Sequence, residues 1–311
     1  MEEIVINHLV IRNYQATDES ELKKLHQSVT KTGAILWQIG PEFNWDNVFC
    51  AFEGQRMIAK GQVQIIHVVP EGSPLDMNHR IYCNLKTVPE RETDTALLEK
   101  VYQYIYDRAV EIKKTLSNQY KTKLCVGNLQ LETNNNAFFT SKGFDYRETV
   151  YEMSRNLDEA IPDINLPMPY QFSKWSMNEP SEQEEYLTYD REIWPDASLG
   201  LERLIEYQNY PSWTALTVRE GMELIASVMA WKEDDDPTVG IIEDVWVRKP
   251  WRKQGLAKFL LTKAMIYLKE SGCHVAELEV GAQNASALQL YQSIGFQVID
   301  EEVRYELDIS E

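Results

Sequence analysis

Cysteine is scarce in this chain of 311 residues. Cys50, Cys83, Cys125 and Cys273 lie far apart, form no Cys-x-x-Cys pair and have no histidine cluster beside them. That spacing argues against a disulfide framework or a zinc site, and the four read as buried thiols. Long apolar runs are missing too: nothing approaches the roughly 20 residues that a membrane-spanning helix needs. The opening Met1-Glu-Glu lacks the basic-then-apolar pattern of a leader, so the expected location is the cytoplasm. Basic residues are outnumbered, with 31 Lys and Arg against 49 Asp and Glu and a formal charge of −18. This balance disfavours nucleic acid and anionic membrane as partners and leaves cationic small molecules or basic peptides as the better candidates. What is present suffices for real cores: 43% of the residues are hydrophobic, in a length that suits one large domain or two ordinary ones.

The most informative stretch runs from Gly240 to Lys258. Ile241, Ile242, Val245 and Val247 have the β-branched, apolar character of a buried strand, and Arg252, Lys253 and Lys258 surround Gly255 where a helix must begin. A helix start offers free N–H groups and a favourable dipole to a phosphate, and a residue without a side chain lets that phosphate reach the backbone. Downstream, Leu-Glu-Val-Gly from residue 278 precedes Asn284, then Leu290-Tyr291 and Gly295-Phe296, which read as strand, short helix, strand and strand.

The combination Arg252-x-x-Gly255-x-Ala257, a helix, a strand, Asn284 and then Leu290-Tyr291-x-x-x-Gly295-Phe296 resembles the acyl-CoA-binding half of the GCN5-related N-acetyltransferase (GNAT) family. The resemblance covers residues 215–308 and implies an α/β (α+β) fold, a mixed, mostly antiparallel, twisted sheet flanked by helices. It also implies acetyl-CoA as co-substrate, with no metal. By resemblance, Val245, Trp246 and Val247 offer main-chain groups to the pantetheine arm or the thioester carbonyl, and Arg252, Lys253, Gln254, Gly255, Leu256, Ala257 and Lys258 take the pyrophosphate. Ala257 stands where the family more often has a second glycine. Asn284 either contacts the pantetheine or caps its helix. Tyr291 matches the tyrosine taken as the general acid for the departing thiolate, a role a neutral phenol can fill. Glu243 matches a carboxylate that some members use to draw the amine proton through water; the other reading is a sheet carboxylate paired with a basic neighbour. Strand alternation predicts that Glu243 and Asp244 point to opposite faces.

The chain contains this pattern twice. Gly54 and Gly221, Ile58 and Ile225, and Ala59 and Ala226 each lie 167 residues apart in two hairpin-like segments, and Phe139-Thr-Ser-Lys-Gly143-Phe144 parallels Tyr291-Gln-Ser-Ile-Gly295-Phe296. Two tandem copies are expected, at residues 1–157 and 168–311, joined by a proline-containing linker at 158–167. The first copy has no glycine at the cradle position, carries Glu90, Glu92 and Asp94 there, and has Phe139 in place of Tyr291. It is therefore expected to have lost acyl-CoA binding and to serve as packing partner, substrate wall or dimerisation surface; the alternative is that a different ligand occupies it. In the second copy Asp190, Glu192, Trp194, Asp196, Tyr207, Tyr210 and Trp213 fall where the family forms its acceptor pocket. Carboxylates and rings together suit an amine or ammonium group, although singly they read as core aromatics and a solvated helix face. The expected activity is acetyl transfer to a primary amine of a small molecule or peptide. Two alternatives stay open: a non-catalytic acyl-CoA sensor or scaffold, and an acetyltransferase similar to the mycothiol synthase type acting on a thiol-precursor amine. A homodimer is compatible with the sequence.

Overall fold

A computed structural model of the protein describes residues 9–195 and 198–310. The expectations resting on Met1-Glu-Glu and Asp196 lie outside those residues. The chain divides into two compact units, 1–149 with 301–311, and 150–300.

In the first unit, β1 (Leu9–Asn13), β2 (Val48–Glu53), β3 (Arg56–His67), β4 (Asn78–Thr87) and β5 (Lys121–Leu129) form a sheet in that order. All neighbours are antiparallel except β4 and β5. α1 (Glu19–Thr30), α2 (Thr95–Lys113) and α3 (Thr133–Ser141) complete the unit. α2 buries Leu97, Leu98, Val101, Ile105, Ala109 and Ile112, a stripe at helical spacing that packs on the sheet's apolar face. Asp18, at the N-cap position of α1, makes no side-chain cap; its carboxylate is held instead by Arg12 at 2.7 Å.

The second unit repeats this order with β7 (Gln171–Trp175), β8 (Thr214–Glu220), β9 (Glu223–Lys232), β10 (Val239–Val247) and β11 (Val275–Gly281), again with one parallel pair, β10 with β11. α4 (Pro180–Ile193) and α5 (Gly200–Gln208) cover one core, with Tyr186, Leu204, Trp231 and Trp246. α6 (Leu256–Glu270) and α7 (Ala285–Ser293) belong to a second, with Ile225, Ile242, Leu260, Tyr291 and Phe296. Each fully buried Leu or Ile here contributes about 2 kcal/mol.

The two remaining strands correct the expected boundaries. β6 (Asp145–Asn156) passes into the second unit, where Val150–Asn156 pair antiparallel with β11. β12 (Gln297–Asp308) returns to the first, where Glu302–Asp308 pair antiparallel with β5. Each copy therefore takes its last strand from the far end of the other copy's sequence, so division at 157 and 168 assigns both strands to the wrong unit. Continuous sequence repeats cannot reveal such an exchange, because the two strands have the same pattern and direction wherever they pair. All four cysteines are free and buried, as their spacing predicts.

Candidate active site

The site grows from an irregularity in β10. Glu243 pairs with Met229 and Trp246 with Ser227, so Asp244 and Val245 together oppose the single residue Val228. This is a β-bulge, and Asp244 takes φ 49°, a left-handed conformation that only a minority of non-glycine residues adopt. The extra residue breaks strand alternation. Ile241, Glu243 and Trp246 oppose Trp231, Met229 and Ser227, whose i, i+2 spacing places them on one face, the face covered by α4 and α5. Asp244 also reaches that side, accepting hydrogen bonds from Tyr186 Oη on α4, from Trp194 Nε1 at 2.9 Å and from Trp246 Nε1 at 3.3 Å. The prediction of opposite faces is thereby overturned. A sequence-level signal did exist: two adjacent carboxylates are poor strand formers in an otherwise β-branched run.

Burial raises the Glu243 carboxyl to about 7; the charges of Glu279 and Asp244 add to the rise, while the Asp244 N–H and Arg203 oppose it. Burial likewise raises Asp244, against the pull of its three donors. Asp190, 1% exposed, is pushed up to about 7 by burial and by the charge of Asp244; its Oδ2 accepts from the Leu199 N–H at 2.7 Å. Tyr291 on α7 is buried, and its phenol is pushed up to about 12 by burial and then by the nearby charge of Glu243. The phenol therefore stays protonated at neutral pH, and among the described residues its hydroxyl has no hydrogen-bond partner.

Beyond Ile241 the parallel strands part. β10 pairs with β11 only through Val239, Gly240 and Ile241, so Ile242–Val247, including Val245, Trp246 and Val247, present a main-chain edge that β11 does not fill. The chain leaves this edge at Val247 and enters α6 at Leu256. There Lys253 (φ 65°) and Gly255 (φ 84°) are both left-handed, a geometry that turns successive N–H groups to one side, and Gly255 caps α6 with no side-chain acceptor on the first turn. A Cβ on Gly255 would meet nothing within 4 Å, so the space before these N–H groups is open. Arg252, Lys253, Gln254 and Gly255 are exposed, Leu256 is buried in the core, and Ala257 and Lys258 are half-buried. Among the described residues none of Arg252, Lys253 and Lys258 is in an ion pair. Arg252 donates through Nε to the Val247 carbonyl at 2.9 Å, and Gln254 accepts from Tyr170 Oη at 2.6 Å. Uncapped N–H groups, free cations and open space fit a pyrophosphate, and the unfilled strand edge fits an amide-bearing arm. Asn284 caps α7, accepting from the Ala287 N–H at 3.2 Å.

The other expected pocket residues separate into two groups. Trp194 and Asp190 join the carboxylate cluster. Tyr207 and Tyr210 stack on Trp231 at 4.7 and 5.4 Å, Trp213 packs against the same core, and Glu192 pairs with Arg248 at 3.0 Å. Tyr186, buried and bonded to Asp244, was not singled out from the sequence; nothing local distinguishes it from other helix aromatics.

In the first unit the same places are filled by the chain itself. The Asp94 carboxylate caps α2 by accepting from the Leu97 N–H at 2.9 Å and pairs with Arg91 at 2.6 Å, so a carboxylate sits where the second unit leaves N–H groups free. Past the last β4–β5 pair, Asn135 Nδ2 donates to the Leu85 carbonyl at 2.9 Å, and Lys86 Nζ is held by Asn128 Oδ1 at 2.8 Å and by Glu132. Asn84 opposes Gln62, as Glu243 opposes Met229, and bonds to the Trp37 N–H and the Ile35 carbonyl. A cavity of about 220 Å³ survives beside Lys86 and Glu132.

Comparison with known proteins places this architecture. Residues 175–296 match the model of the Acetyltransferase (GNAT) family. Over 57 residues it is 42% identical to N-alpha-acetyltransferase MAK3 of Arabidopsis thaliana, covering 18% of this chain and 30% of that protein. Over 59 residues it is 34% identical to an uncharacterised N-acetyltransferase of Methanocaldococcus jannaschii, covering 19% and 26%. The chain thus spans less than a third of the length of either relative. Among solved structures it is similar to a GCN5-related N-acetyltransferase from Sphaerobacter thermophilus, with TM-score 0.72, 15% identity and coverage of 97% of this chain and 96% of that one. It is also similar to a tandem GNAT protein from the clavulanic acid biosynthesis pathway, with TM-score 0.68, 12% identity and coverage of 97% and 98%. At these identities the likeness is one of fold. No helix among the described residues is long and apolar enough to cross a membrane, and no group of three or more metal-ligating side chains occurs among them.

Proposed function

We propose that the second unit transfers the acetyl group of acetyl-CoA to a primary amine of a cationic small molecule or peptide. The observation that carries this reading is the placing of Tyr291 within reach of the Glu243 charge, beside a strand edge left unfilled by β11 and an uncapped, cationic helix start. Main-chain groups of Val245, Trp246 and Val247 would hold the pantetheine amides and polarise the thioester carbonyl. The N–H groups from Lys253 to Lys258, with Arg252, would hold the pyrophosphate.

Glu243, with a carboxyl near 7, is suited to draw a proton from the acceptor ammonium or amine, directly or through one water. The neutral amine attacks the thioester carbon, a C–N bond forms and the C–S bond breaks; where the acceptor began as an ammonium, the proton still left on nitrogen goes to solvent. Tyr291 then gives its hydroxyl proton to the departing sulfur, and the proton held by Glu243 restores the phenol through solvent. Burial keeps Tyr291 protonated, and so able to donate to the sulfur as negative charge develops on it.

The first unit is proposed to bind no acyl-CoA. Asp94 would repel a pyrophosphate, the Lys86, Asn128, Glu132 and Asn135 side chains occupy the strand gap, and Asn84 and Phe139 replace the base and the acid. The test is thiol release from acetyl-CoA against a panel of polyamines, aminoglycosides, peptides with free N-termini and a cysteine-containing amine. Release that depends on one class of amine supports the proposal. Acetyl-CoA binding with no release from any of them would favour a sensor or scaffold.

A further inference from the structure

Among the described residues no other carboxylate is placed as Asp244 is. It is a non-glycine residue at φ 49° within a strand, at the bulge itself, and among the described residues no cation pairs with it. Its oxygens instead face three neutral donors from separate segments: Tyr186 Oη on α4, Trp194 Nε1 just past α4, and Trp246 Nε1 two residues along β10. Trp246 Nε1 also donates to Tyr186 Oη at 3.1 Å, which links two of these donors to each other. An indole nitrogen can only donate, so a group accepting from two indoles and a phenol must be an acceptor on both of its atoms, as a carboxylate is and an amide is not. The Asp244 N–H is in turn turned to the Glu243 carboxylate.

We infer that Asp244 is a positioning residue of the acyl-transfer site: its carboxylate, gripping Tyr186, Trp194 and Trp246, holds β10 in the bulge that turns Glu243 to the α4–α5 face and keeps Ile242–Val247 apart from β11. The role in acyl transfer rests on the proposed acetyltransferase reading; the grip on the bulge does not. Asp244 is not assigned as the base, because both of its oxygens already accept from Tyr186, Trp194 and Trp246. The charged and titratable groups around the pair are Asp190 and Tyr186 on α4, Arg203 and Tyr207 on α5, Glu279 on β11 and Tyr291 on α7.

Three variants separate grip from strain and charge. Asp244→Gly accepts the left-handed backbone freely but loses the grip, Tyr186→Phe removes one donor and keeps the ring, and Asp244→Asn keeps the shape but loses the charge and one of the two acceptor atoms. Amide deuterium exchange over residues 243–247 reads the bulge with no ligand present, calorimetry reads acetyl-CoA affinity, and thiol release reads kcat, KM and the pH profile. Asp244→Gly should exchange faster there, bind acetyl-CoA at least about tenfold more weakly and lose about 100-fold in kcat, the scale of an ångström-sized misplacement. Tyr186→Phe should move the same way by less. In Asp244→Asn the acid limb of the rate profile should move below pH 7, since a negative charge beside Glu243 is gone, a change that loss of fold alone does not produce. Unaltered exchange in both Asp244→Gly and Tyr186→Phe would overturn the inference. Altered exchange in a chain that releases no thiol with any amine would uphold the grip and remove the acetyltransferase reading.

Discussion

Replacing Glu243 by Gln couples two effects that share one cause. In the folded chain the Glu243 carboxyl keeps its proton to about pH 7, against 4.5 for an ordinary glutamate. Between those values the folded state binds more protons than the unfolded state, so this group makes stability fall as pH rises from 4.5 to 7, after which its effect is constant. At 1.36 kcal/mol for each tenfold change in proton affinity, the full penalty at pH 8 is at most about 3 kcal/mol, and partial exposure of the side chain reduces it. Glutamine has the same shape, carries no charge, and its oxygen can still accept from the Asp244 N–H. The variant should therefore be more stable than wild type at pH 8 by about 1 to 3 kcal/mol and indistinguishable from it at pH 4.5. Its rate should drop by about 10² to 10⁴, and the limb near pH 7 in kcat/KM should vanish. Urea unfolding at the two pH values and a rate profile from pH 5.5 to 9 measure both. Asp190→Asn is the control, because Asp190 is also raised to about 7 but should leave the limb in place. A Glu243→Gln variant that retains the limb, or that loses stability at pH 8, would refute the assignment of Glu243 as a buried base.

Tyr291→Phe should lower kcat by about 10²-fold with KM for acetyl-CoA nearly unchanged, and should cost almost no stability because the hydroxyl lost has no partner among the described residues; steady-state thiol release and thermal unfolding check the two halves. Lys86→Met leaves Glu132 without its buried cation, so it should destabilise the first unit by about 3 kcal/mol, seen as a lowered unfolding transition, while acetyl-CoA affinity in calorimetry stays at the wild-type value.

The sequence carries the second unit's site with uneven clarity. The proposed cradle was legible because an anion site of this kind calls for particular residues, a glycine able to be left-handed and nearby cations, and Gly255 with Arg252, Lys253 and Lys258 stand in one short run. Tyr291 was legible through its spacing to Gly295 and Phe296. The bulge was not, since a register shift depends on how β9 and β10 are laid together, and the period-2 pattern that predicts a strand also predicts that Glu243 and Asp244 diverge. Tyr186 was hidden for the same reason: its importance lies in a bond to Asp244, 58 residues away. The exchange of β6 and β12 escaped because residues 150–156 and 302–308 are equally good last strands for either sheet, and only tertiary pairing tells them apart.

The central claim is that one unit of two binds acetyl-CoA, at the start of α6. Titration calorimetry of the full chain with acetyl-CoA, wild type against Gly255→Glu, tests it directly. A side chain at φ 84° is strained, and a carboxylate there would fill the open space before the helix N–H groups. The account predicts one site per chain in the wild type and none in the variant; two sites, or undiminished binding in Gly255→Glu, would contradict it.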